Sequence, residues 1–134
     1  MTRTRGSDRA HICRAVLEGI AFQVYDLVKA MENNCGCTIN SLKVDGGASV
    51  SNILMQFQSD ILNISVDRPA CVESTAQGAA YLAGLGCGLW KNLDEIKNMR
   101  KSDSLFCPKM EVKQREKLLR HWQSAVDSCK KYKL

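Results

Sequence analysis

A chain of 134 residues, 45% hydrophobic and 25% charged, has the composition of one soluble globular domain with a core of its own. The formal charge of +5 gathers at the two ends, in Arg3, Arg5, Arg9 and Arg14 and again in Lys130, Lys131 and Lys133, while the three Phe, three Tyr and two Trp are scattered along the chain and form no basic-aromatic platform. That argues against nucleic-acid binding, which needs a basic stacking platform. No apolar run approaches membrane-spanning length. Seven dispersed cysteines behind a start that lacks the pattern of a signal peptide read as the reduced thiols of a cytoplasmic protein. Only Cys35 and Cys37 are close together, and with no second pair or nearby histidine they do not make a tetrahedral zinc site.

In chain order, Ile12, Val16, Ile20, Val24, Leu27 and Met31 mark one stripe of a long amphipathic helix from Arg9 to about Met31, with Arg14, Glu18, Gln23, Asp26 and Lys29 largely elsewhere. His11 has no Ser, Cys or Asp placed to form a triad with it, so its expected role lies in the helix start. The helix stops near Asn33-Asn34-Cys35-Gly36. A short strand follows from Ser41 to Val44, where polar and apolar side chains alternate. A second helix, from about Ser51 to Leu62, shows a mixed polar face of Gln56, Ser59 and Asp60. A second strand at Ile64-Ser65-Val66 is closed by Arg68-Pro69. Strand, helix and strand at this spacing predict a right-handed crossover with parallel pairing.

Ser74-Thr75-Ala76-Gln77 has the pattern of a capping box and opens a helix of small residues, Ala76, Gly78, Ala79, Ala80, Ala83 and Gly84, suited to close packing. A short capped turn from Asn92 to Ile96 leads into a polar stretch, Lys97 to Asp103, and an irregular connector at Phe106-Cys107-Pro108. A last helix, about Glu111 to Lys131, places Leu119, Trp122, Ala125, Val126 and Cys129 on one side, across the outside of the core. No internal repeat and no low-complexity segment is present.

The stretch Val44-Asp45-Gly46-Gly47-Ala48-Ser49-Val50-Ser51-Asn52 organises the rest. A strand enters it and a helix leaves it, with Ser49 or Ser51 placed to cap the first turn. A glycine pair there lets a ligand approach the backbone where a Cβ would obstruct it, and the amides of a helix start can meet an anion or a polar ring edge. It matches neither a P-loop nor a G-x-G-x-x-G fingerprint. From the local pattern alone, a nucleotide contact and a ligand-free tight turn are both open.

The residues that follow one another along the chain are more specific than any one motif. Arg9-Ala10-His11-Ile12, Arg14-Ala15, Leu17-Glu18, then Val44-Asp45-Gly46-Gly47, Leu54-Met55-Gln56-Phe57-Gln58-Ser59-Asp60, Thr75-Ala76 and Gly78-Ala79-Ala80-Tyr81-Leu82-Ala83-Gly84 together resemble the C-terminal part of the FGGY carbohydrate kinases, above all their glycerol kinase branch. The resemblance runs from Thr4 to about Val126, so that residues 1–134 read as a partial C-terminal domain.

This resemblance implies an α/β fold, the C-terminal portion of an actin/hexokinase-like, ribonuclease-H-like ATPase lobe, ordered helix-strand-helix-strand-helix plus terminal helices. It implies ATP with Mg²⁺ as cofactor and phosphorylation of glycerol, or a similar polyol or sugar, at a terminal hydroxyl. Gly46 and Gly47 match the glycine pair that contacts the adenosine side of the nucleotide in such kinases. Ser51 or Asn52 matches the following polar contact; many bacterial members have two asparagines there, and Ser51 replaces the first. The family's catalytic aspartate, its N-terminal lobe and its polyol-binding residues have no counterpart in the sequence. The chain alone is therefore expected not to turn over, and to self-associate or pair with a missing N-terminal portion. The alternative is a non-catalytic truncated relative that acts as an interaction module.

Overall fold

The computed structural model describes residues 6–99 and 101–131. Its first element, α1 (Arg9–Cys35), is opened by Asp8, whose carboxylate accepts from the His11 amide at 3.0 Å. The His11 ring reaches back to the Asp8 main chain, completing a capping box, which is the helix-start role expected for that histidine. Gly36 ends the helix at φ +63°, a left-handed conformation suited to glycine.

The expected stripe of α1 is not the face that meets the core. Ile12, Val16, Ile20, Leu27 and Met31 are exposed, whereas Ala21, Phe22 and Val28 are buried. Leu17 and Tyr25 pack half-buried beside them. The helix is apolar on two faces, and periodicity alone does not say which one this chain covers.

Three strands, β1 (Ser41–Lys43), β2 (Ser65–Pro69) and β3 (Ser102–Phe106), form one sheet in the order β1-β2-β3. β1 and β2 are parallel, with Leu42 opposite Val66, as the strand-helix-strand pattern predicts. The second strand begins one residue later than expected and runs on to Pro69. The third strand was not expected: it takes up the end of the polar stretch and the first residue of the connector, while Cys107 and Pro108 stay irregular as expected. It pairs antiparallel with β2, Val66 opposite Phe106 and Asp67 opposite Leu105. Ser102-Asp103-Ser104 carries no apolar alternation, and its first two residues are exposed on the sheet. What makes it a strand is the open edge of β2 together with side-chain bonds from Arg68 to Asp103 and from Ser102 to Asp67.

Helix α2 (Asn52–Leu62) is the centre of the molecule, buried at Leu54, Met55 and every position from Phe57 to Leu62. With Ala21, Phe22 and Val66 it builds the core, and Leu118, Leu119 and Trp122 of α5 (Val112–Lys131) close one side, as expected for the last helix. The polar residues of α2 are buried anchors. Gln58 donates to the Ala21 carbonyl at 3.2 Å, and the Ser59 hydroxyl lies 2.7 Å from the Ile64 carbonyl and 3.0 Å from that of Phe106. The Asp60 carboxylate accepts from the amides of Lys109 and Met110 at 2.7 and 3.2 Å, which fixes the segment entering α5.

Helix α3 (Ser74–Gly86) starts at the expected residue, but without the expected capping box. Glu73 occupies the cap position and makes no side-chain bond there, which leaves Ser74 already inside the helix. The Gln77 amide donates to the Glu73 carbonyl at 3.1 Å. Close packing of the small residues is realised at Gly84, where an added Cβ would stand 1.9 Å from the Trp90 ring. The expected turn at Asn92–Ile96 is a full helix, α4 (Leu93–Met99), capped by Asn92 through the Asp94 and Glu95 amides at 3.1 and 3.0 Å. Among the described residues, no helix is long and apolar enough to cross a membrane. All seven cysteines are free and exposed.

Candidate functional site

The glycine pair lies where β1 ends. Past Lys43, the Val44 amide still donates to Asp67 at 3.1 Å, so the pairing with β2 holds up to the turn. Gly46 then adopts φ +77° and ψ 171°, a region essentially closed to residues with a Cβ. Its amide donates to the Val72 carbonyl at 2.8 Å, tying the turn to the segment that leads into α3. Residues Gly47–Val50 form one turn of 3₁₀ helix before α2 begins.

The two serines of the turn divide the local work. Ser49 is 1% exposed and donates through its hydroxyl to the Gly46 carbonyl at 2.7 Å, locking the glycine turn from inside. Ser51 is the cap of α2, its hydroxyl oxygen accepting from the Leu54 amide at 3.3 Å. A serine in this place satisfies one of the amides that a helix start leaves without an intrahelical partner. Asn52, the first residue of α2, is exposed, and its Oδ1 accepts from Arg68 Nη1 at 2.8 Å.

All four expected site residues, Gly46, Gly47, Ser51 and Asn52, thus fall on one short turn at the carboxyl end of a parallel strand. That is where open α/β sheets receive ligands. Within the chain, nothing stands within 4 Å of where a Cβ would sit at either glycine. The backbone at the glycine pair is therefore open to an approaching ligand, with the Ser51 hydroxyl and the Asn52 carboxamide beside it. Two clefts flank the turn. One, of about 580 Å³, adjoins Lys43, Asp45, Ser74, Gln77 and Lys97, and the other, of about 510 Å³, is lined by Arg14, Asn52, Gln56 and Lys109 among others.

One residue of this arrangement was not read from the sequence as more than a strand end. Arg68 is 13% exposed at its side chain and reaches the turn from β2. Its Nη1 lies 3.2 Å from the carbonyls of both Ser49 and Val50, as well as 2.8 Å from Asn52. Its other edge pairs with Asp103 Oδ2, at 3.1 Å from Nε and 2.8 Å from Nη2, and its guanidinium stacks over the Phe106 ring at 5.4 Å. Hydrogen bonds from Arg68 and then Ser104 hold the Asp103 carboxyl below its usual range. The available signal was alternation: Val66 faces the core, so Arg68, two residues on, shares that face and must find acceptors there.

Residues 2–87 match the family described as the FGGY family of carbohydrate kinases, C-terminal domain. Over 131 residues the chain is 51% identical to a glycerol kinase of Alkaliphilus metalliredigens, covering 98% of this chain and 26% of that relative. Among solved structures, a Plasmodium falciparum glycerol kinase with ADP superposes with a TM-score of 0.82 at 39% identity, over 96% of this chain and 26% of the other. A xylulose kinase of Lactobacillus acidophilus gives a TM-score of 0.73 at 26% identity over the same shares. The chain thus spans about a quarter of the length of the relatives it matches. Its fold is that of part of an actin/hexokinase-like lobe, and the chain belongs to the FGGY family of carbohydrate kinases, corresponding to their C-terminal part.

Proposed function

We propose that this chain supplies the nucleotide-binding part of a glycerol kinase, an enzyme that moves the terminal phosphoryl group of ATP to glycerol and leaves ADP and glycerol 3-phosphate. The observation that carries the reading is the turn at Gly46 and Gly47, open to an approaching ligand at the end of a parallel strand, in a chain about half identical to glycerol kinases. Gly46 and Gly47 offer backbone to the adenosine side of ATP, while Ser51 and Asn52 offer polar contacts beside it. Mg²⁺ accompanies the nucleotide. Among the described residues, no group of three His, Cys, Asp or Glu side chains is arranged to hold a metal.

Phosphoryl transfer is chiefly positioning and charge stabilisation from both sides of a closing cleft. This chain offers one side, so turnover requires the polypeptide that corresponds to the rest of its relatives. The exposed row Ile12, Val16, Ile20, Leu27 and Met31 on α1 is the surface proposed to receive it, in the cytoplasm where ATP and glycerol are available. The test is to supply the preceding segment of the Alkaliphilus metalliredigens glycerol kinase in trans and measure ATP-dependent glycerol phosphorylation. Activity that appears only with both pieces and is lost in Gly47→Val supports the kinase reading. Binding of the two pieces without activity favours a non-catalytic interaction module.

A further inference from the structure

We propose that Arg68 is a positioning residue for the nucleotide, which it serves by fixing the direction in which Asn52 offers hydrogen bonds. The inference rests on the reading of the glycine turn as an ATP site and deepens it. Arg68 has donors only, so the atom of the Asn52 carboxamide that faces it at 2.8 Å must be the oxygen. The Nδ2 group is thereby turned away from Arg68, and among the described residues it has no acceptor. Asn52 also borders the open cleft of about 510 Å³. The turn therefore meets its ligand with a donor, matched to acceptor atoms such as a purine ring nitrogen or a ribose or phosphate oxygen.

The same guanidinium holds the backbone on which Asn52 stands, through the Ser49 and Val50 carbonyls at 3.2 Å. It is itself held from behind by Asp103 and by the face of Phe106. Strand β3 thus reaches the turn through Arg68, which bonds Asp103 and Ser104 on one side and Ser49, Val50 and Asn52 on the other. A lysine would keep the charge but not the fork that serves the turn and Asp103 at once.

The experiment is an ATP–Mg²⁺ titration of the whole chain, its Asn52→Asp, Arg68→Lys and Arg68→Gln variants, and the double variant Asn52→Asp/Arg68→Gln, with thermal midpoints measured alongside. Asn52→Asp keeps an oxygen for Arg68 and removes the donor, so ATP affinity should fall about tenfold or more with no loss of thermal stability. Arg68→Gln should weaken ATP by a similar factor, Arg68→Lys should restore less than half of that loss, and the double variant should be no weaker than the worse single one. A purely structural Arg68 would lower the midpoint, leave the affinity of the folded chain unchanged and add to Asn52→Asp. If the unsubstituted chain binds ATP and folded Arg68→Gln binds it equally well, this proposal alone falls; if the unsubstituted chain shows no ATP response, the nucleotide reading falls and takes the proposal with it. Should Arg68→Gln not fold, Asn52→Asp decides by itself, since unchanged affinity there overturns the donor role.

Discussion

The indole of Trp122 lies flat on the Phe22 ring, centroids 5.2 Å apart and planes within 10°, and its Nε1 donates to Asp26 at 2.7 Å. One side chain thus joins the last helix to the first by both faces of its chemistry, stacking and a charge-assisted hydrogen bond. Phe22 in turn meets Phe57 edge-on at 5.5 Å, so the contact continues into the buried central helix.

Trp122→Ala should therefore lower stability by about 2–4 kcal/mol, the lower part of the range for large aromatic truncations because the indole is only half-buried. Trp122→Phe keeps the stack and loses the bond to Asp26, for about 1 kcal/mol. Urea denaturation of the three chains checks the order.

The two glycines of the turn should respond differently. Gly46→Ala forces a Cβ into φ +77° and should destabilise the chain by about 1–3 kcal/mol. Gly47 has no left-handed backbone and open space at its Cβ position, so Gly47→Val should shift stability by less than about 1 kcal/mol while abolishing ATP binding. Denaturation and nucleotide titration of the same samples separate the two effects.

Gly84→Ala places a methyl within 1.9 Å of the Trp90 ring, which must move away from α3 and from its edge-on contact with Tyr81 at 5.4 Å. The expected cost is about 1–3 kcal/mol. Faster amide exchange should be confined to α3 and the segment around Trp90.

How much of this was readable in advance depended on where the signal lived. The long first helix, the parallel pair of strands and the turn at Gly46-Gly47 are local patterns, and each falls where the residues place it. The third strand is not local: Ser102-Asp103-Ser104 becomes a strand because β2 presents an edge and Arg68 a partner, 35 residues away in the case of Asp103. Arg68 itself was hidden for the same kind of reason: its contact with Asn52, 16 residues away, exists only once β2 lies beside the turn. The periodicity of α1 was legible, but its two apolar faces could not be ranked without knowing what packs where. Ser74 and Gln77 fit a capping box by type, yet the backbone put Glu73 at the cap, one residue earlier.

The exposed row on α1 leads to a prediction about association. The isolated chain should self-associate with rising concentration, and Val16→Glu with Leu27→Glu should keep it monomeric. Both positions are exposed, at 59% and 60%, so stability should change by less than about 0.5 kcal/mol per site. Sedimentation velocity over a concentration series reads the difference.

Acid should weaken the fold in a defined direction. Asp103 is held below its usual value by Arg68 and then Ser104, Asp8 by the His11 amide and then the His11 ring, and Glu32 by Lys29 and then the Ile39 amide. A carboxyl lowered in the folded state binds fewer protons there than in the unfolded chain. Its stabilising contribution is thus complete above the ordinary carboxylate range and is lost as pH falls through that range and below it. The urea midpoint should drop between about pH 5 and about pH 3, and Asp103→Asn should flatten that slope.

The measurement that bears most directly on the central claim is an ATP–Mg²⁺ titration of the 134-residue chain, followed through the backbone amides of Gly46, Gly47, Ser51 and Asn52. Saturable shifts concentrated at those four residues and absent in Gly47→Val are the predicted result. A well-dispersed spectrum whose turn amides ignore ATP would contradict the account and leave the turn as a structural corner of the fold.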